Sequence, residues 1–98
     1  MIPFSREARR HVLALRRHYE ALDRFEAVVN LMAALQEASD TIERAPEGGL
    51  PAPRAYPQLA RPGLAWMKAG RYWIAYRINP YPVIAAVFYE AADIPRRL

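Results

Sequence analysis

The chain contains no cysteine. This excludes disulfides, thiol nucleophiles and thiolate metal sites, and it is compatible with a reducing compartment. No stretch approaches the roughly 20 apolar residues of a membrane helix. The opening "MIPFSREARR" lacks the apolar run of a signal peptide. We therefore expect a cytoplasmic protein with no membrane partner. Serine occurs only at Ser5 and Ser39, and neither sits in a nucleophile elbow. "APEGG" lacks the Gly-Lys-Ser/Thr ending of a phosphate loop. The two histidines, His11 and His18, are seven residues apart, whereas helical metal pairs use spacings of three or four. No metal and no cofactor is expected, and both histidines read as solvent-exposed side chains among arginines.

What is present points to one small globular domain over residues 1–98. The 98 residues are 53% apolar, too many for disorder, and the limited core of so short a chain leaves apolar surface for a partner to cover. The net charge of +4 suits an acidic partner, either nucleic acid or an acidic protein segment. The alternative is a solvated basic face with no role beyond solubility.

Ile2 to Phe4 form a short apolar lead-in that Pro3 limits to an edge strand or extended segment. Ser5 is a good N-cap, with Glu7 in the first turn. Ala8, Val12, Leu15, Tyr19 and Leu22 then recur at helical spacing, and Arg6, Arg9, Arg10, Arg16, Arg17 and Glu20 occupy the opposite side. Asp23 and Glu26 have the spacing of a capping box, which predicts a second helix beginning near Arg24. Its stripe is Val28, Leu31, Leu35, Ala38, Ile42 and Ala45, with Phe25 and Met32 beside it. It should stop at Pro46-Glu47-Gly48-Gly49. With no glycine or proline between the two stripes, one long helix is the alternative to an antiparallel pair.

Residues 46–63 carry five prolines and predict an extended connector, held to the core by Tyr56 and Leu59. Three strands follow. Leu64 to Lys68 is the first, and Ala69-Gly70 turns the chain. From Arg71 to Ile78, Tyr72, Ile74, Tyr76 and Ile78 share one face, and Trp73, Ala75 and Arg77 the other. "NPYP" turns the chain again, and Val83 to Tyr89, apolar on both faces, reads as a central strand. The expected fold is α+β: a helical hairpin packed on a small antiparallel sheet, in the order β-α-α-β-β-β.

Four segments in this order carry a resemblance: "IERAPEGG", the "PG" before the first hairpin strand, "GRYWIAYRI", and "VIAAVFYEAADIPRRL". Together they resemble the RelE/ParE superfamily of toxins from bacterial toxin–antitoxin pairs, and the last two resemble its ParE-like branch. The resemblance spans nearly the whole chain. It implies a cognate antitoxin as partner and one of two activities. RelE-like members cut messenger RNA on the ribosome, and ParE-like members are implicated as DNA gyrase inhibitors.

These activities make different demands on the residues. RNA cleavage through the 2′-hydroxyl needs a base or orienting group, cations for the phosphorane charge, and an acid for the leaving oxygen. The nuclease pattern carries an arginine just after the first tyrosine of the strand, where this chain has Trp73. It carries a second arginine after the last strand, where the nearest positions are Ala91 and Ala92. From Gly70 to Ile94 there are only two arginines, no lysine and no histidine. We therefore expect no catalytic residues, and a toxin that acts by binding. The expected contacts with antitoxin or target are Trp66, Lys68, Arg71 and Trp73 in the first hairpin, Arg77 and Tyr89 on the later strands, and Arg96 and Arg97 in the tail. An edge strand left by the N-terminal segment would accept an added strand. Two rivals remain. One is a divergent endoribonuclease, which requires Arg77 and Tyr89 to point into one concave site, with Arg71 and Arg77 sharing a face beside Trp73. The other is a non-toxic module that only pairs with its antitoxin.

Overall fold

A computed structural model describes residues 1–92 and 94–97, the last two of these by backbone alone. Helix α1 (Arg6–Ala21) and helix α2 (Phe25–Arg44) are followed by two short 3-10 turns, Pro46–Gly48 and Pro57–Leu59. Strands β1 (Ala65–Ala69), β2 (Tyr72–Arg77) and β3 (Val83–Tyr89) come next, then a short helix α3 (Ile94–Arg97). The strands form one antiparallel sheet in the order β1-β2-β3, so the class is α+β as expected. The middle strand is β2, not β3. The expected first strand is reduced to one parallel bridge, Phe4 to Ile84.

The two helices form a hairpin. Ser5 caps α1, its Oγ accepting from the Ala8 N–H at 3.1 Å. The bend is made without glycine, because Asp23 adopts a left-handed φ of 54°. The Arg24 N–H donates to the Tyr19 carbonyl at 2.8 Å and the Asp23 N–H to the Glu20 carbonyl at 3.0 Å, the paired bonds of a Schellman ending. Asp23 therefore closes α1 and does not open α2. The expected capping box is absent: the N-cap of α2 is Arg24, with no side-chain cap bond. A residue held left-handed at the end of one helix cannot also take the extended conformation of an N-cap. Leu22, counted in the buried stripe by its spacing, lies at this cap and is 56% exposed. Replacing Asp23 by glycine should stabilise the protein by about 0.5–1 kcal/mol, because glycine adopts this conformation without penalty. Chemical denaturation would show the gain as a higher midpoint at unchanged slope.

The sheet is covered on both faces. Toward the helices, Tyr72, Ile74 and Tyr76 of β2 join Ala8, Tyr19, Leu31, Leu35, Ala38 and Ile42. The other face has its own core, in which Trp66, Trp73, Ala75, Ala86 and Phe88 pack against Ala52, Leu59 and Ile94, with Tyr56 and Leu64 beside them. Tyr56 and Leu59 thus hold the connector, as expected, and the connector roofs the second face of the sheet. A register shift between β2 and β3 explains why β3 looked apolar throughout. Ala75 pairs with Ala86 and Tyr76 with Ile84, leaving Ala85 as the extra residue of a bulge. The bulge brings Ile84 onto the same face as Val87, three residues on, where strict alternation would oppose them.

The outer edge of β3 is closed. The Ser5 N–H donates to the Ile84 carbonyl (2.8 Å) and the Ile84 N–H to the Pro3 carbonyl (3.0 Å). The Ser5 hydroxyl donates to the Ala85 carbonyl (3.1 Å), and the Val87 N–H donates to His11 Nδ1 (3.2 Å). His11 is therefore not a solvent-exposed histidine: it is half-buried, with its ring 4.8 Å from that of Phe88. Ser39, fully buried, accepts from the Ile2 N–H at 2.8 Å and anchors the N-terminal segment to α2. The N-terminal segment thus occupies this edge at Ile84 and Ala85, where the sequence predicted an edge open to an added strand, and His11 covers it at Val87. The opposite edge, on β1, is bridged by Leu50 at Trp66 alone. Trp66 exchanges both its backbone bonds with Leu50, so by alternation the N–H and C=O of Lys68 also point outward.

Candidate functional site

The strand residues expected to bind a partner divide into three groups. Trp66 (0% exposed) and Trp73 (6%) belong to the core beneath the connector. The Arg54 guanidinium lies 5.7 Å from the centre of the Trp73 ring and the Lys68 ammonium 6.0 Å, so cations cover what the connector leaves open. Neither indole is presented for stacking on a base. Lys68 and Arg71 meet at one carboxylate: Lys68 Nζ is 2.7 Å from Glu90 Oε2, and an Arg71 amino nitrogen is 3.7 Å from Glu90 Oε1. Lys68, then Arg71, hold the Glu90 carboxyl below its usual range. Arg77 and Tyr89 lie apart. Arg77 pairs with Val83 and Tyr89 with Tyr72, at opposite ends of the β2–β3 ladder. Five strand residues span about 17 Å. The single concave site that a nuclease would build from them is therefore not formed. Arg71 lies in the turn before β2, outside the strand that carries Arg77. The side chains of Arg96 and Arg97, and the whole of Asp93, fall outside the described residues.

The helical hairpin presents a different surface. Among the described residues, the exposed large apolar side chains are Met1, Leu13, Leu22, Phe25, Val29, Met32 and Tyr81. All but Tyr81 lie on the hairpin or directly before it. Phe25, Val29 and Met32 follow one another at steps of four and three along α2, off the core-facing stripe. Between the helices runs a groove of about 290 Å³, lined by Met1, Phe4, Val12, Leu13, Met32 and Leu35, with Arg9 and Arg16 at its rim. The spacing of Phe25 and Met32 was legible in the sequence. The exposure of Leu13 and Val29 was not, because it depends on how closely the two helices approach.

The chain matches no protein-family model and no curated protein. Its chemistry is therefore read from its own residues.

A second concavity, of about 950 Å³, opens on the other flank of the hairpin, between α2 and the β1–β2 turn. Its walls include His18, Tyr19, Arg24, Asn30, Glu37, Arg71, Tyr72 and Tyr89. The Tyr19 and Tyr72 hydroxyls are 2.6 Å apart, and the Tyr89 ring meets Tyr72 edge-on at 5.8 Å. Burial first, and then the bond to Tyr19, push the Tyr72 phenol well above its ordinary value, so it is a donor and not a base. Tyr89, then Glu90, raise the Arg71 guanidinium above its ordinary value. Helical spacing assigned Tyr19 to the buried stripe, which is correct, and Tyr72 is buried as well, but both residues line this opening. Among the described residues, no three histidine or carboxylate side chains gather as metal ligands.

The raised Tyr72 value has a consequence for stability. Below about pH 10 the phenol is protonated in both the folded and unfolded chains and contributes no pH dependence. Above that, the unfolded chain loses the proton first, so stability falls as pH rises toward the higher folded value. Tyr72→Phe should flatten this alkaline decline, measured as the unfolding midpoint between pH 9 and 11 (about one unit either side of the free phenol).

Proposed function

We propose that this chain is a ParE-like toxin of a type II toxin–antitoxin pair in the cytoplasm. It acts by binding, inhibits DNA gyrase, and is neutralised by a cognate antitoxin. The element order and the α+β architecture agree with the superfamily layout that the sequence resembles. The observation that carries the binding reading is the concentration of exposed apolar side chains on the helical hairpin, beside a groove rimmed by Arg9 and Arg16. Its natural occupant is an acidic amphipathic helix of the antitoxin, apolar face inward and carboxylates toward the arginines. The net charge of +4 disfavours a second copy of this chain on the same surface. The separation of Arg77 from Tyr89 and the ion pair that Lys68 makes with Glu90 argue against a phosphate-cleaving site built from the strand residues.

The test is a purified gyrase assay with the chain added, scoring supercoiling and trapped cleaved DNA. Inhibition that the antitoxin relieves is the expected result. No effect on gyrase, together with ribosome-dependent cleavage of messenger RNA, would replace the proposal with an endoribonuclease. Harmless overexpression without the antitoxin would reduce the protein to an antitoxin-binding module.

A further inference from the structure

We propose that the cleft between α2 and the β1–β2 turn is a binding site for an oxyanion, carboxylate or phosphate, carried on a small apolar body. The first argument is a count of protons. Tyr19 and Tyr72 are 8% and 4% exposed, and their hydroxyls share one hydrogen bond. Two phenols own two donor protons, and one bond uses one of them. The other has no acceptor among the described residues, so it turns to whatever fills the cleft beside it.

The second argument is the chemistry around that proton. Arg24 comes from the bend after α1, His18 from the last turn of α1, Asn30 from α2, and Arg71 from the strand turn, so donors converge from four parts of the fold. Among the described residues, Glu37 is the one carboxylate in the lining. Arg24 and Arg71 also touch Glu26 and Glu90, which stand outside the lining, but a guanidinium has five N–H groups. The two side chains keep 57% and 74% exposure, so donors remain for a ligand. A partly sheltered site with several donors and few acceptors selects an anion.

The third argument is the floor. Ala27, Ala33, Ala34, Ala91 and Ala92 leave room where larger residues would fill the space, and the Tyr72 and Tyr89 rings stand beside them. Gly70 also belongs to the floor, and a Cβ there would meet Ala34 Cβ at 3.4 Å. Small apolar walls with aromatic sides suit a compact ring or branched chain bearing the anionic group. The cleft lies on the opposite flank from the antitoxin groove, so failure of either proposal leaves the other standing.

The experiment is an amide-resolved NMR titration of the full chain with phenyl phosphate, benzoate, inorganic phosphate and benzyl alcohol. Saturable shifts at Gly70, Arg71 and Ala34 with phenyl phosphate or benzoate are expected, and the tighter of the two identifies the preferred anion. Inorganic phosphate should bind more weakly, and benzyl alcohol should not saturate. Arg71→Gln and, separately, Arg24→Gln should each weaken binding about tenfold or more, with far-UV circular dichroism unchanged. Arg44→Gln, away from the cleft, should leave it unaltered. Shifts centred on the α1 arginines, binding by both cleft variants as tight as by the parent, or benzyl alcohol binding as well as benzoate would each overturn the proposal.

Discussion

Gly49→Ala is expected to destabilise the fold by about 2–4 kcal/mol. Backbone conformation is not the reason. Gly49 sits at φ −72° and ψ 163°, which any residue adopts. The reason is close approach. A Cβ there would overlap the Tyr76 hydroxyl and lie 2.9 Å from both Tyr76 Cζ and Ala65 Cβ. Tyr76 has nowhere to retreat, being 2% exposed in the core between helices and sheet. Its hydroxyl donates to the Pro46 carbonyl at 2.8 Å, so displacing the ring also breaks the bond that ties the end of α2 to β2. Tyr76→Phe alone should cost about 1 kcal/mol and open space beside residue 49. The double variant should therefore lose less than the sum of the two single losses. Denaturant unfolding of the four proteins closes the cycle. A Gly49→Ala loss below about 0.5 kcal/mol, the usual range of surface changes, would show that the ring yields freely.

Leu13→Glu is expected to weaken binding of the proposed antitoxin helix by about 30-fold or more while leaving the fold intact. Leu13 lines the groove between the helices and is 47% exposed, so a glutamate there reaches solvent in the free protein. In the complex it would place a carboxylate in an apolar seam, facing the acidic helix proposed to fill it. Unfolding midpoints of the free variant should agree with the parent within about 0.5 kcal/mol. Affinity measured at two salt concentrations adds a second readout, since contacts to Arg9 and Arg16 should weaken as salt screens them. Unchanged affinity for Leu13→Glu would remove the groove as the docking surface and direct attention to the outward backbone of Lys68 on β1.

The candidate surfaces were only partly legible in the sequence. Arg71 and Tyr89 were expected at a binding surface, and both border the tyrosine cleft, although their companions there are Tyr19, Tyr72 and Arg24. Helical spacing placed Tyr19 on the buried stripe, and strand alternation placed Tyr72 on one face with Ile74 and Tyr76. Neither pattern tells that two hydroxyls 53 residues apart end 2.6 Å from each other. His11 looked solvated because its neighbours in sequence are arginines. Its neighbour in space is the Val87 N–H on the edge of β3.

By itself the sequence determined most of the elements and the apolar faces of the helices and of β2. Apolar spacing set both helices, the proline run set the connector, and alternation along β2 assigned Tyr72, Ile74 and Tyr76 to one face and Trp73 and Ala75 to the other. The absence of cysteine removed thiol chemistry without reference to any fold. Tertiary structure decided what covers each face. The connector folds back over Trp66, Trp73 and Phe88 and turns residues that looked like a docking surface into a second core. Strand pairing sets Arg77 and Tyr89 at opposite ends of a ladder. The hydrogen bonds that end α1 commit Asp23 to a left-handed conformation. In each case the periodicity of a segment records which of its sides is apolar. The partner that side meets is chosen by chain closure over dozens of residues, which no local pattern encodes.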